Sequence, residues 1–287
     1  MAIRKVGVVG CGLMGSGIAQ VCAAKGYETI VREVNDDLLK RGRERLTNFL
    51  AEGVKKGKVA QADMDKTVGN LKWTTALADF KDCDVVIEAI VESLAEKQKV
   101  FAELDGACKP ETILASNTSS ISITSIAAAT KRRDKVLGLH FMQPVPIMKL
   151  VEIVRAEITG AATYETARAF IESLGKTVIT AKDTPGFIIN LLLIPYVNEA
   201  IRALDGGLAT KEDIDAGMKL GCNFPMGPIE LADFVGLDTC LSIAEVIFRE
   251  TGDPRYAPSP LLRRMVAAGS LGRKSGRGFY DYAKKQP

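Results

Sequence analysis

The chain has 287 residues, of which 47% are hydrophobic and 25% charged, a composition typical of a soluble globular protein with room for two domains. Its formal net charge is only +3, so no strongly basic surface indicates nucleic acid or an anionic membrane as a partner. One histidine, six cysteines and no CxxC pair argue against a zinc site, and we expect no metal. The residue counts do not exclude a Mg²⁺ site made only of carboxylates.

No targeting or membrane-spanning segment is expected. The first five residues lead directly into a strand pattern and lack the apolar core and cleavage site of a signal peptide. The most apolar run, residues 186–195, is about half the length of a transmembrane span and contains Asn190. The sequence therefore indicates a cytoplasmic protein with no membrane partner.

Short β-branched runs alternate with helical stretches from residue 4 to about 182, a pattern typical of βαβ units and a mostly parallel sheet. Strands are predicted over 5–10, 28–34, 85–89, 112–116, 136–141, 150–154 and 177–182, with a long charged helix over 36–56. The alternation stops at residues 183–186 (DTPG), where Pro and Gly interrupt regular secondary structure. Helices are predicted beyond it over 187–204, 211–220, 229–234, 239–250 and 260–268. We expect an α/β N-terminal Rossmann domain over 1–184, followed by an all-α domain over 185–287.

A glycine-rich motif, residues 10–15 (GCGLMG), follows the first predicted strand and fits GxGxxG. The pattern alone is weak, but here an apolar strand precedes it and a helix of small residues follows. An acid, Glu33, then ends the second strand roughly 20 residues further on. This context predicts a dinucleotide site. A mononucleotide site, or a relic of one, is the alternative.

Each part of this motif has a physical reason. Gly10 permits the tight turn, Gly12 lets the backbone approach a pyrophosphate, and Gly15 allows the helix to pack closely on the strand. The helix N-terminus, at Leu13 and Met14, presents N–H groups and a positive dipole end to the phosphates.

The second strand also bears on which dinucleotide binds. Glu33 can accept hydrogen bonds from the ribose hydroxyls and would repel a 2′-phosphate, whereas the adjacent Arg32 would attract one. Neighbouring strand residues point to opposite faces, so only one of the two is expected to face the ribose. We favour Glu33, and hence NAD, with NADP the less favoured cofactor.

His140 lies at the end of the predicted strand 136–141, where ligands gather in open α/β sheets. Its ordinary pKa suits both giving and taking a proton near neutrality, although a purely structural histidine is the alternative. Glu152 lies within the next apolar strand and is costly to bury unless paired. Lys149 and Arg155 occupy the opposite face of that strand, so an imidazole on the neighbouring strand is the better partner.

Two further polar groups stand out. Residues 117–120 (NTSS) follow a predicted strand and place Ser119 at the same sheet edge. The alternative is a helix N-cap cluster with Ser120 or Ser122 as the cap. Asn190 is a lone amide in an apolar helix just past the domain junction, and we expect it to face the cleft.

Seven motifs stand in order along the chain, and together they resemble the 3-hydroxyacyl-CoA dehydrogenases over nearly its whole length. The similarity is closest to the short bacterial enzymes that act on 3-hydroxybutyryl-CoA. The motifs are the glycine turn, residues 87–92 (IEAIVE), 115–120 (ASNTSS), 140–141 (HF) followed by 148–152 (MKLVE), 185–187 (PGF), 225–228 (PMGP) and 276–280 (GRGFY).

The resemblance implies a role for each candidate residue. His140 would be the catalytic acid/base and Glu152 its orienting partner, while Ser119 and Asn190 would contact the substrate oxygen. Besides the glycine turn and Glu33, the residues implied on the cofactor side are Glu92, Lys97 and Asn117.

The resemblance also implies the reaction and the partners. It indicates reversible NAD(H)-dependent reduction of acetoacetyl-CoA to (S)-3-hydroxybutyryl-CoA, in butyrate or butanol formation or in fatty-acid oxidation. A homodimer through the helical domain would suit the apolar surface of residues 187–196. The CoA nucleotide is expected near Lys55, Lys56 and Lys58, unless that lysine run is simply a solvated face.

The chain departs from the family pattern at a few positions, which bear on pocket shape and cofactor strength and remove no chemical group. These are Glu33, where the family usually has Asp, together with Met142, Gln143 and Leu191. A dehydrogenase of free hydroxy acids or sugar acids is the nearest rival function. Rival families with a lysine on the interdomain helix fit poorly, because residues 186–190 contain none. A non-catalytic NAD-binding relic is the rival of another class.

Overall fold

The computed structural model describes residues 3–283. Residues 1–2 and 284–287, at the outer ends of the two expected domains, lie outside the described part of the chain. By its internal contacts the chain divides into two compact units, Met1–Thr184 and Pro185–Pro287.

The first unit is built on one eight-stranded sheet. The strands are β1 (Lys5–Val9), β2 (Glu28–Arg32), β3 (Leu71–Thr74), β4 (Val85–Glu88), β5 (Ile113–Ser116), β6 (Val136–Phe141), β7 (Leu150–Arg155) and β8 (Thr177–Lys182). Their order in the sheet is β3-β2-β1-β4-β5-β6-β7-β8. Neighbouring strands are parallel except for β6 and β7, which run antiparallel.

Helices connect the strands of this sheet. They are α1 (Leu13–Ala24), α2 (Asp36–Lys55), α3 (Gln61–Gly69), α4 (Leu94–Ala107), α5 (Ile123–Ala127) and α6 (Ala161–Ser173). Every residue of β4, β5 and β6 is buried, as expected for central strands that helices cover on both faces. The predicted fold class, an α/β Rossmann domain with a mostly parallel sheet, is confirmed.

The sequence prediction includes neither the strand β3 nor the helix α3 before it. β3 is a four-residue strand at the sheet edge, paired only with β2, and of its residues only Leu71 is buried. A short, half-exposed edge strand carries little of the hydrophobic pattern from which strands are recognised. The second strand also ends at Arg32, two residues earlier than predicted, because the chain turns there toward Asn35, the N-cap of α2.

The second unit is all-helical and has a core of its own, made by residues such as Ile201, Leu237 and Ile247. Its helices are α7 (Ile189–Asp205), α8 (Lys211–Ala216), α9 (Pro228–Val235), α10 (Leu237–Thr251) and α11 (Pro260–Ala267), with a π-turn over Gly217–Gly221. α7 begins two residues later than predicted because Gly186 and Phe187 both adopt positive φ angles, of 79° and 53°. Among residues 3–283, no helix is long and apolar enough to cross a bilayer.

Candidate functional site

The glycine turn between β1 and α1 has the geometry that a dinucleotide site needs. Gly10 has a φ of 91°, and a side chain there would place its Cβ 2.6 Å from the Ala89 carbonyl oxygen. A Cβ on Gly15 would lie 1.8 Å from the Gly10 carbonyl oxygen, so only glycine lets α1 approach the turn. A Cβ on Gly12 would meet no atom within 4 Å, so this part of the turn is open to a ligand. The residues present therefore fit a pyrophosphate at the N-terminus of α1.

Glu33 turns its carboxylate toward this glycine turn. Its Oε1 accepts a hydrogen bond from the backbone N–H of Cys11 at 2.6 Å, and its Oε2 accepts one from Val34 at 3.0 Å. The neighbouring Arg32 instead donates from Nε to the Thr75 carbonyl oxygen, at 3.3 Å, beyond the end of β3. The two side chains thus point in different directions from the end of β2, with the Glu33 carboxylate on the side of the glycine turn.

His140 and Glu152 stand directly opposite each other on the antiparallel strands β6 and β7. The Nδ1 atom of the imidazole lies 2.6 Å from Oε2 of the carboxylate. Only 7% of His140 is exposed and none of Glu152, so solvent screens this contact little. A carboxylate on one ring nitrogen fixes the tautomer and the ring orientation, and directs the other nitrogen at a reactant.

Asn117 joins the end of β5 to the end of β6. Its backbone N–H donates to the Glu88 carbonyl oxygen at 2.8 Å, which holds the residue at the end of the neighbouring strand β4. Its side-chain Oδ1 accepts a hydrogen bond from the backbone N–H of Phe141 at 2.9 Å. Phe141 follows His140, so this bond sets the backbone beside the imidazole.

Glu92 organises the polar loop that follows Asn117. Its Oε1 accepts hydrogen bonds from the Thr118 hydroxyl at 2.5 Å, from the Ser119 backbone N–H at 3.0 Å and from the Ser119 hydroxyl at 3.3 Å. Burial on its own would raise the pKa of Glu92. Attraction to Lys97 and the bonds from Thr118 and Ser119 outweigh burial and hold the pKa below its ordinary value.

A buried ion pair lies next to this loop. Lys97, 1% exposed, places its Nζ 2.7 Å from Oε1 of Glu88 and 3.2 Å from Oε2 of Glu92. The family resemblance implied roles for Lys97 and Glu92 but none for Glu88, although an acid inside the apolar run 85–89 indicates a buried carboxylate that needs a partner. The Ser116 hydroxyl donates to Oε2 of Glu88 at 2.6 Å, so β5 also takes part.

The remaining predicted residues lie on other elements of the chain. Asn190 belongs to the second unit, where it is buried in the first turn of α7. Lys55 ends α2, and Lys56 just beyond it pairs with Glu52 at 3.5 Å. Within the described residues, neither lysine makes a hydrogen bond or ion pair with the residues around His140. The Ser122 hydroxyl caps α5 by accepting from the Ser125 N–H, so the helix-cap alternative applies to Ser122.

A glycine turn between the first strand and the first helix of a mostly parallel α/β unit, with an acid just after the second strand, defines an NAD-binding Rossmann unit. Comparison with known proteins agrees with this class. Residues 5–184 match the family model for the 3-hydroxyacyl-CoA dehydrogenase NAD-binding domain, and residues 186–282 match the model for the C-terminal domain of that family.

Individual relatives are similar over almost their full length. A 3-hydroxybutyryl-CoA dehydrogenase of Bradyrhizobium diazoefficiens is 49% identical, with 99% of this chain and 97% of the relative covered. One of Mycobacterium tuberculosis is 50% identical, covering 98% and 99%. The crystal structure of (S)-3-hydroxybutyryl-CoA dehydrogenase from Ralstonia eutropha has a TM-score of 0.93 at 47% identity, covering 99% and 100%. The chain belongs to the 3-hydroxyacyl-CoA dehydrogenase family and is an NAD-dependent oxidoreductase.

Proposed function

We propose that this chain interconverts acetoacetyl-CoA and (S)-3-hydroxybutyryl-CoA, with NAD(H) as the hydride carrier. The observation that carries the proposal is the buried contact between His140 and Glu152, at the same sheet edge as the glycine turn. Relatives that bear the name 3-hydroxybutyryl-CoA dehydrogenase, about half identical in sequence, support the choice of substrate. Both physiological directions, butyrate or butanol formation and fatty-acid oxidation, use the same chemistry.

His140 is the acid/base of the proposed reaction. When the 3-oxo group is reduced, the imidazolium donates its proton from Nε2 to the carbonyl oxygen. In the oxidative direction, neutral His140 removes the hydroxyl proton. Glu152 holds Nδ1 at 2.6 Å and stabilises the imidazolium, as the carboxylate of a catalytic triad does. The dinucleotide, when bound, would supply a hydride to the carbon of the 3-oxo group in reduction and accept it from the same carbon in oxidation.

Ser119 and Asn190 are proposed to hydrogen-bond the reacting oxygen and to stabilise the charge that develops on it. For Ser119 the support is its position: Glu92 holds both its N–H and its hydroxyl, in the loop that Asn117 joins to β6. For Asn190 the support is the family resemblance together with its place in the first turn of α7.

The cofactor side is proposed to consist of the glycine turn and the residues around it. Gly10, Gly12, Leu13, Met14 and Gly15 would hold the pyrophosphate, and Glu33 the adenosine ribose. Glu92 and Asn117 would lie near the nicotinamide, with Lys97 holding Glu92 in place at 3.2 Å. Because the Glu33 carboxylate lies at the turn and Arg32 points to Thr75, we propose a preference for NAD over NADP.

Two further proposals concern the substrate and the assembly. Lys55 and Lys56, at the C-terminal end of α2, are proposed to attract the phosphates of the CoA nucleotide. We also propose that the protein is a homodimer joined through its helical unit. Large apolar side chains exposed on that unit support the dimer, among them Leu192, Leu208 and Leu220.

The direct test of the proposed function is NADH oxidation by the purified chain with acetoacetyl-CoA, in parallel with free acetoacetate. Reduction of acetoacetyl-CoA alone supports the proposal. Equal rates with both compounds would favour a dehydrogenase of free keto acids. If NADH binds but is oxidised with neither compound, the chain would be a non-catalytic NAD-binding protein.

A further inference from the structure

Glu88 is a buried carboxylate to which the proposed reaction assigns no role. It ends β4, has no exposed surface, and accepts three hydrogen bonds. The donors are the Ile90 backbone N–H at 2.7 Å, Lys97 Nζ at 2.7 Å and the Ser116 hydroxyl at 2.6 Å. An ionised carboxylate acts only as an acceptor, which matches these three donors. A charge buried this completely needs such partners to be tolerated.

Glu88, Lys97 and Glu92 form what we call the carboxylate–lysine cluster. The single ammonium group of Lys97 lies between the two carboxylates, 2.7 Å from Glu88 and 3.2 Å from Glu92. One cation with two anions leaves a net charge of about −1. Glu88 is fully buried, whereas Glu92 is partly buried, with 34% of its side chain exposed.

The cluster is connected to the loop at the proposed reaction centre. Its outer carboxylate, on Glu92, binds Thr118 and Ser119, while the Glu88 carbonyl oxygen accepts from the Asn117 N–H at 2.8 Å. Asn117 in turn bonds the N–H of Phe141, next to His140. The surplus negative charge therefore lies at the sheet edge where the proposed function requires the nicotinamide ring.

We propose that Glu88 sets the relative affinity of the enzyme for oxidised and reduced nicotinamide. Because one ammonium group pairs with two carboxylates, the charge of Glu88 leaves the cluster with one surplus negative charge, and Glu92 is the member that contacts the loop. The nicotinamide ring is cationic in NAD⁺ and neutral in NADH, so an uncompensated anion nearby favours the oxidised form. The inference rests on the proposed function, because it requires the ring to bind beside Glu92. For a separation on the order of 10 Å and an effective dielectric constant near 20, Coulomb's law makes one unit charge worth on the order of tenfold in affinity.

The test is to measure the Kd of NAD⁺ and of NADH separately, by titration calorimetry, for the full chain and for Glu88→Gln. Glutamine keeps the size of the side chain and removes its charge. The Kd of NAD⁺ should rise roughly tenfold, while that of NADH changes by less than about twofold. Asp84→Asn is the matched control, because Asp84 is a buried carboxylate just before β4, about 13 Å of strand from Glu88. This control should leave the ratio of the two Kd values unchanged.

The double variant Glu88→Gln with Lys97→Met separates charge from structure. It returns the cluster to a net charge of about −1, so the Kd ratio should return toward that of the unsubstituted chain. If Glu88→Gln does not fold, Lys97→Met alone tests the direction of the charge effect. It removes the cation of the cluster, so the Kd of NAD⁺ should fall relative to that of NADH. A ratio unchanged in Glu88→Gln, or not restored in the double variant, would overturn the inference. Failure of the unsubstituted chain to bind either nucleotide would instead contradict the proposed function.

Discussion

The imidazole of His140 and the carboxylate of Glu152 face each other across the antiparallel strands β6 and β7, with Nδ1 2.6 Å from Oε2. The contact depends on strand register, because a slip of one residue would turn one of the two side chains to the other face of the sheet. The position of the proposed acid/base is therefore set by the backbone pairing of the sheet itself.

The first prediction concerns Glu152. The Glu152→Gln variant keeps the size of the side chain but loses the charge that stabilises an imidazolium, so kcat should fall by roughly 10²-fold or more. Steady-state NADH oxidation with acetoacetyl-CoA measures the loss. Glu157→Gln, an exposed acid just past β7, is the control and should keep normal turnover.

A double variant distinguishes orientation from a separate role for Glu152. If Glu152 acts through His140, then His140→Gln combined with Glu152→Gln should be no slower than His140→Gln alone. Losses that add would show that Glu152 contributes independently of the histidine.

The second prediction concerns cofactor choice. The unsubstituted chain should have a higher kcat/KM with NADH than with NADPH, because the Glu33 carboxylate lies at the glycine turn and repels a 2′-phosphate. Glu33→Gln should narrow this difference, whereas Arg32→Gln should leave it nearly unchanged. Equal or better use of NADPH by the unsubstituted chain would mean that Arg32 reaches the ribose.

The third prediction concerns stability and pH. Asp84 accepts hydrogen bonds from the N–H groups of Arg4 and Lys5 and pairs with Lys109 at 2.7 Å. Burial would raise its pKa, but Lys109 and the backbone donors outweigh burial and lower the pKa. A lowered pKa means that the carboxylate stabilises the fold above its unfolded pKa of about 3.9, and that this contribution disappears as the pH falls through the folded value.

Asp84→Asn should therefore lower the free energy of unfolding by about 1–3 kcal/mol at pH 7. The difference from the unsubstituted chain should shrink as the pH falls below about 4. Urea unfolding at several pH values measures both. A difference that is the same at every pH would show that the carboxylate charge is not the source of the stabilisation.

The fourth prediction concerns assembly. Light scattering on the purified chain should give twice the monomer mass of 30.9 kDa. Glutamate introduced singly at Leu192, Leu208 and Leu220 tests the helical unit, and at least one of these variants should shift the protein toward the monomer. A fully active monomer would contradict the proposed dimer.

Much of the fold could be predicted from local sequence pattern. The central strands are short β-branched runs that the sequence pattern shows directly. The glycine turn is also visible in the sequence, because its conformation leaves no room for a side chain at Gly10 or Gly15 and so requires glycine there. The pairing of Glu152 with a neighbouring imidazole followed from the cost of burying a lone carboxylate. The edge strand β3 could not be predicted, because only Leu71 of its four residues is buried.

The contacts of the site were less accessible to sequence reasoning. Lys97 looks like an ordinary helix lysine, and only the fold reveals that it is buried between Glu88 and Glu92. Similarly, the bond from the Phe141 N–H to the Asn117 side chain depends on β5 and β6 being neighbours. Such contacts join residues far apart in sequence, so they follow from strand order and not from any local motif.

In the proposed reaction His140 transfers the proton, and one substitution tests this role most directly. His140→Gln retains a polar side chain but cannot shuttle a proton, so turnover of acetoacetyl-CoA with NADH should fall by roughly 10²–10⁴-fold. NADH binding, measured on the same protein, should hardly change, because the glycine turn is left intact. Near-normal turnover in this variant would contradict the account.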